Sequence, residues 1–249
     1  MVWKLVLEYD GTDFAGWQLQ PGVRTVQGEL ERALSTVLRA PIRVHGAGRT
    51  DSGVHALGQV VSFETDADVA AALAKVNGVL PDDVVVRSAE PAYERFHARF
   101  DAVRRHYRYR IHRGPSAVER RTSLWLLRAL DLEAMREAAH LVPGSRDFAS
   151  FGSPPEEGGT TECRLDRLEI VEDGRIVSVE ASANRFLRRM VRTLVGTLLE
   201  VGAGKHPPRW IEEVIEARDR RAAGEVVPAR GLFLVSVDYP NGSANGGRT

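Results

Sequence analysis

Between Gly46 and Phe63 the chain reads GAGRTDSGVHALGQVVSF, and its centre, Gly48-Arg49-Thr50-Asp51, sets one carboxylate two residues from one guanidinium. Gly46, Gly48, Gly53 and Gly58 punctuate the segment, with His45 and His55 on either side of the loop. Glycines let a backbone come close to a neighbour, and a loop on a rigid scaffold is where a protein holds a reactive side chain still. Pro41–Val44 reads as a strand leading in, and Gln59–Phe63 as a strand leading out.

The pattern narrows the chemistry. GxGxxD has the outline of a dinucleotide loop, but that loop must open a helix whose N-terminus holds phosphate, and Val54–Phe63 reads as strand. One cysteine and seven scattered histidines offer no paired metal-ligand spacing, and no HExxH occurs. Ser52 lacks a GxSxG elbow. A glycosidase needs two carboxylates about 5 to 9.5 Å apart, and no second acid has a comparable setting. His45 and His55 read as hydrogen-bond partners that fix the loop. What is left is a lone aspartate, Asp51, able to act as nucleophile or as an electrostatic and proton-transfer group. In a partly dry pocket its charge needs an opposite charge beside it. Arg192 suits, on the polar side of an expected helix, and Arg188 at i−4 shares that side.

The elements that must position these residues follow from periodicity. Residues 2–9 alternate as a strand; Thr25 can cap a helix to about Arg39 with Val26, Leu30, Leu34, Val37 and Leu38 on one face. Ala67–Val79 is a short helix stopped by Pro81, and Asp83–Ala89 is a strand. This order is β-α-β-β-α-β, the ferredoxin-like split βαβ pattern. It recurs after a basic strand over 104–112. Leu132, Met135, Ala139 and Val142 mark a helix closed by Pro143-Gly144. Arg164–Val171 and Arg175–Ser182 form a hairpin about Glu172-Asp173-Gly174. Asn184 caps the strongest helix, Pro207-Pro208 opens another to about Ala223, and Gly231–Tyr239 is the last strand. The expectation is a mixed α/β (α+β) protein of two similar halves facing each other, 1–103 and 104–240. Gly152–Thr160 is expected to be irregular, and the Gly/Ser/Asn-rich tail 241–249 disordered.

Composition bounds the setting. At 249 residues, 43% hydrophobic and 27% charged, the chain can bury a substantial core. A single cysteine, Cys163, excludes an internal disulfide and points to a reducing cytoplasm. No stretch has the roughly 20 apolar residues of a membrane span, and the first residues lack the apolar core of a signal peptide. The 34 basic and 34 acidic residues cancel, but not locally. Arg95–Arg113 holds seven arginines against one acid, with Tyr107 and Tyr109 interleaved, and Asn184–Arg192 holds Arg185, Arg188, Arg189 and Arg192 with none. Such runs fit an RNA groove, with Arg104, Arg105, Arg185 and Arg188 as candidate contacts, or else a solvated helix face and a charge-guarded strand.

The whole pattern resembles the tRNA pseudouridine synthase A family. The segment 46–63 is similar to its Arg-Thr-Asp signature. LEYDGTDFAGWQLQ, TVQGELERAL, FHARFDAVRRHYRYRI, ANRFLRRMVRTLVGTLLEVG and GLFLVSVDYP resemble the same family in order, from about Leu5 to Pro240. The resemblance implies two ferredoxin-like, RRM-like halves forming one pseudouridine-synthase fold with a central cleft. It implies that Asp51 is the catalytic aspartate, Tyr107 packs on the target base, Arg49 holds the flipped-out arrangement, and Arg192 is the basic partner of Asp51. Ser52 departs from the motif, which more often has alanine there.

The implied reaction detaches uracil from C1′, turns it and reattaches it through C5, with no cofactor and no metal. Asp51 either attacks the nucleoside or takes a sugar proton, and the sequence leaves both open. The implied substrate is the anticodon stem-loop of tRNA at uridines 38, 39 and 40, and the implied assembly is a cytoplasmic homodimer. Two rival readings are a non-catalytic RNA-binding protein of the same fold and a synthase for a different RNA uridine.

Overall fold

The computed structural model describes residues 1–154 and 159–240. The chain divides into two compact units: residues 1–103 with the chain from Phe233 onward, and Arg104–Leu232.

The first unit opens with β1 (Val2–Tyr9), α1 (Val26–Leu38), β2 (His45–Gly46), β3 (His55–Glu64), α2 (Val69–Val79) and β4 (Val84–Pro91). Strand β1 lies between β4 and β3, antiparallel to both, and β2 pairs antiparallel with β3. That is the strand order of a split βαβ unit. Thr25 caps α1 as its type predicts, its hydroxyl accepting from the Gly28 N–H at 3.2 Å. Leu30, Ala33 and Leu34 bury one face of α1, while Val37 and Leu38 stay half-buried at its fraying end.

The strand expected over Pro41–Val44 does not form. The backbone N–H groups of Ile42 and Val44 donate to Ser35 Oγ and Glu31 Oε1 of α1, each at 3.0 Å. Side chains take the donors that a ladder would need, so pairing starts only at His45 opposite Ser62.

The second unit contains β5 (Arg104–Arg113), β6 (Leu124–Leu126), α3 (Leu132–His140), β7 (Gly144–Asp147), β8 (Glu162–Asp173), β9 (Ile176–Ala183), α4 (Met190–Gly202) and α5 (Trp210–Ala217). Its strands run in the order β5, β9, β8, β7, with β6 parallel to β5. The β8–β9 hairpin turns at Gly174, whose φ of 56° is the left-handed conformation that an Asp-Gly turn supplies.

Two expectations change in this unit. Asn184 does not cap α4: its side-chain oxygen accepts from the Arg164 N–H at 2.9 Å, ending the hairpin. The chain then runs on to Arg188, which bridges Ser153, and α4 begins only at Met190 after a left-handed Arg189. Arg188 therefore precedes the helix and does not share an i, i+4 face with Arg192. Nor does α4 have a polar side, since it is buried from Met190 to Gly202 except at Arg192 and Glu200.

The last strand, β10 (Leu232–Asp238), which the sequence assigned to the second half, groups with the first unit. Its Phe233 and Leu234 pair parallel with His55 and Ala56 of β3, at the end of β3 that β2 leaves open. Residues 155–158 of the Gly152–Thr160 segment, and the tail from Asn241, lie outside the described residues.

Gly196 shows how tightly the second unit is closed. A Cβ there would come 1.8 Å from the Glu225 carbonyl oxygen, and Gly224 is tied by its N–H to Thr197 Oγ1 at 3.0 Å. Gly196→Ala is expected to cost about 1–3 kcal/mol or more, as overpacking against backbone does. Urea denaturation of wild type and variant measures it.

Candidate active site

The Gly48–Asp51 loop is held by polar groups on three sides, all within the first unit. Thr50 is buried. Its hydroxyl lies 2.8 Å from the Tyr9 hydroxyl of β1, and its carbonyl accepts from the Trp17 N–H at 3.0 Å. From β3, Gln59 Nε2 donates to the Gly48 carbonyl at 2.8 Å.

The segment that receives Thr50 is itself fixed. The first N–H groups of α1, on Val26 and Gln27, donate to the carbonyls of Gly16 and Trp17 at 3.2 and 3.1 Å, which satisfies donors that a helix start leaves open. Gly16 must be glycine: its φ is 107°, and a Cβ would sit 2.9 Å from the Thr50 oxygen.

Asp51 follows the pinned threonine and is half-buried. Its carbonyl accepts from the Val54 N–H at 3.1 Å, closing a turn through Gly53 at φ 76°. Ser52, the departure from the motif, turns its hydroxyl to the Phe14 carbonyl at 3.0 Å. It adds a fourth tether beside Asp51. Arg49 stands exposed on the same loop.

The hydrogen bond expected of His55 goes to the segment after β1. His55 is buried, its ring stacks on Phe233 at 4.6 Å, and its Nδ1 accepts from the Gly11 N–H at 3.1 Å. His45, in contrast, is exposed, and its ring lies beside that of His97.

In the second unit the basic strand sorts its side chains by the period of two. Arg105, Tyr107, Tyr109 and Ile111 share one face of β5, and Tyr109 and Ile111 are fully buried there. Tyr107 is half-buried and meets Phe186 edge-on, ring centres 5.0 Å apart. The opposite face is largely neutralised. Arg104 meets Asp166 at 2.9 Å, Arg108 its cross-strand partner Glu180 at 2.9 Å, and Arg110 meets Glu119 at 3.0 Å. Partial burial works against the charge on Asp166, but the Arg104 and Arg164 guanidiniums hold its carboxyl below the usual range.

Among the other candidates, Arg105 donates to the Asn184 carbonyl at 2.7 Å, and Arg185 donates to the Thr160 carbonyl. Arg188 is exposed.

Arg192 is fixed by its own neighbour strand of backbone. Its Nε donates to the Val227 carbonyl at 2.7 Å, and the Val227 N–H returns to the Arg192 carbonyl at 3.4 Å. One residue on, the Pro228 carbonyl accepts from the Tyr109 hydroxyl at 2.8 Å. The segment 227–228 thus holds Arg192 and Tyr109 through neighbouring carbonyls. Periodicity missed this clamp, because neither Tyr109 nor Val227 stands out from ordinary core residues in the sequence. Among the described residues, no three His, Cys, Asp or Glu side chains gather as metal ligands would.

The first unit thus holds a half-buried aspartate on a pinned loop, and the second an arginine clamped near the start of a buried helix, in a protein of mixed α/β class. The chain belongs to the tRNA pseudouridine synthase family, whose model matches residues 5–101 and 138–240. A protein of Alcanivorax borkumensis named tRNA pseudouridine synthase A is 48% identical over 241 residues, covering 95% of this chain and 90% of its own. One of the same name from Geobacter sulfurreducens is 46% identical over 244 residues, covering 95% and 98%. A third, from Nitrosococcus oceani, is 44% identical over 246 residues, covering 95% and 93%.

Burial pushes the Tyr9 hydroxyl up to about 12, against the opposing pull of Thr50 and Gln59. Burial also raises Tyr109, against Arg192 and Arg230. A tyrosine in the unfolded chain ionises near pH 10, roughly. The stabilisation from keeping both neutral is therefore complete below that pH and is lost as pH rises through the folded values. Denaturation midpoints should fall steeply in that alkaline range. In Tyr9→Phe the fall should be shallower, with about 1 kcal/mol lost at neutral pH from the broken Thr50 tether.

Proposed function

We propose that this chain isomerises uridine to pseudouridine in tRNA, at positions 38, 39 and 40 of the anticodon stem-loop, as a cytoplasmic homodimer. The observation that carries the reading is the held Arg49-Thr50-Asp51 loop in a chain of the tRNA pseudouridine synthase family. Asp51 is the catalytic residue. Tyr107 stacks on the target base, its ring steadied by the perpendicular contact with Phe186. Arg49 supports the flipped arrangement, and Arg192, its guanidinium fixed through Nε, supplies the positive charge the reaction needs. The domain arrangement proposed for this work is an N-terminal half with the Asp51 loop and a C-terminal half with Tyr107 and Arg192.

A base must leave its stack to react, at a cost of a few kcal/mol. An aromatic face and cations near the phosphates offset that cost. Arg105, Arg185 and Arg188 are the proposed backbone contacts, and Arg104 joins them by exchanging its Asp166 partner. Action at three adjacent positions is consistent with recognition by shape and backbone, which suits A-form RNA.

Asp51→Asn keeps the shape and removes the charge. Release of tritium from C5-labelled tRNA is expected to be lost, with tRNA affinity within about twofold of wild type; turnover like wild type would remove Asp51 from its role. No release by the wild-type protein, with tRNA still bound, would favour the binding module. Transcripts bearing a single uridine at 38, 39 or 40 test the positions: each should be converted, and conversion only elsewhere would point to another uridine.

A further inference from the structure

The segment Tyr93–Asp101 of the first unit forms a built turn that ends in an exposed aromatic ring. Asp101 Oδ2 accepts from the Tyr93 hydroxyl and from the His97 N–H, each at 2.8 Å. His97 Nδ1 accepts from the Arg99 and Phe100 N–H groups at 3.1 and 3.4 Å, which sets a neutral imidazole with its proton on Nε2. Ala98 is pinned at both ends: its N–H donates to Ser62 Oγ at 3.0 Å, and its carbonyl accepts from the Tyr239 hydroxyl at 2.7 Å. Phe96 packs edge-on against Tyr239, centres 5.0 Å apart.

From this mount Phe100 projects 73% exposed. Behind it the rings continue, with His97 centred 4.3 Å from Phe100 and His45 4.8 Å from His97. The Arg99 guanidinium lies 5.5 Å from the Phe100 ring centre. His45 is the register partner of the same Ser62 that holds Ala98, and β2 runs on directly into the Gly48–Asp51 loop. The hydrogen bonds of the turn hold this apolar ring in one place at the surface.

We propose that Phe100, backed by His97 and His45 and flanked by Arg99, is a stacking platform for an unpaired nucleobase of the RNA substrate other than the target uridine. The inference rests on the reading of the chain as an enzyme acting on tRNA. An aromatic face accepts any base, and an adjacent arginine meets its phosphate or stacks beside it. Asp51 lies six positions beyond His45 in the chain, a reach of about 20 Å at most, so a base on the platform belongs to the same RNA as the reacting nucleotide. The Arg99 guanidinium beside the Phe100 ring favours RNA over a second copy of the chain, because a cation next to an aromatic face suits a base and its phosphate.

The test is the affinity of an unmodified tRNA transcript, measured over a salt series, for Phe100→Ala, Phe100→Leu and Phe100→Tyr. Ala and Leu are expected to weaken binding roughly tenfold with the salt slope unchanged, since stacking releases no counterions, and Tyr to restore it. Wild-type affinity in Ala, or in Leu, which is apolar but cannot stack, would overturn the platform. So would a change in sedimentation of the free Ala variant, which would mark the ring as a contact between copies. Tritium release by the wild-type protein is run alongside. Its failure removes the enzyme reading, whereas release with unaltered binding by Ala removes the platform alone.

Discussion

The fixed point of the first unit is Thr50. Its side chain and its carbonyl are both engaged, one by Tyr9 and the other by Trp17, and the residue is buried between them. A single hydrogen bond contributes about 1 kcal/mol net, but a buried group left unpaired costs about 1–3 kcal/mol, so these contacts form together or not at all. Strand β1 and the Gly16–Trp17 segment converge on it, α1 anchors that segment through its own N-terminal N–H groups, and β3 holds Gly48 two residues earlier. A loop rich in glycine has no stiffness of its own. The position of Asp51 is borrowed from its neighbours.

The second unit solves the same problem with backbone in place of hydroxyls. Helix α4 is buried almost throughout, so Arg192 reaches out only where the 224–230 segment lies against it. The close approach of Gly196 and Gly224 brings the Val227 carbonyl within reach of Arg192 Nε. Fixing a guanidinium through Nε sets its plane, and with it the direction in which the terminal nitrogens point.

A basic run in sequence is not a basic surface. Arg104, Arg108, Arg110 and Arg113 face Asp166, Glu180, Glu119 and Glu172, so much of the charge in that run is spent inside the second unit. Exposed pairs of this kind add little stability, but they organise a strand whose other face is core. Three of the pairs join residues more than 50 positions apart, which is why a local charge count reads the run as free. The acids that neutralise it come from β8, β9 and the turn before β6.

The sequence by itself determined the parts that depend on near neighbours. Period-two and period-3.6 patterns mark β1, β3, the β8–β9 hairpin and α1, and the Thr25 cap and the Gly174 turn follow from residue type. The Arg49-Thr50-Asp51 motif and the order of segments around it are likewise carried by the chain alone, and they suffice for the family. Tertiary structure decided whatever hangs on competition for a backbone group. Glu31 and Ser35 took the donors of Val44 and Ile42 and abolished a strand; Arg164 took the side chain of Asn184 and delayed a helix. The open end of β3 drew β10 into the first unit. Each donor and acceptor can be satisfied only once, and which partner wins is set by residues far away in the chain.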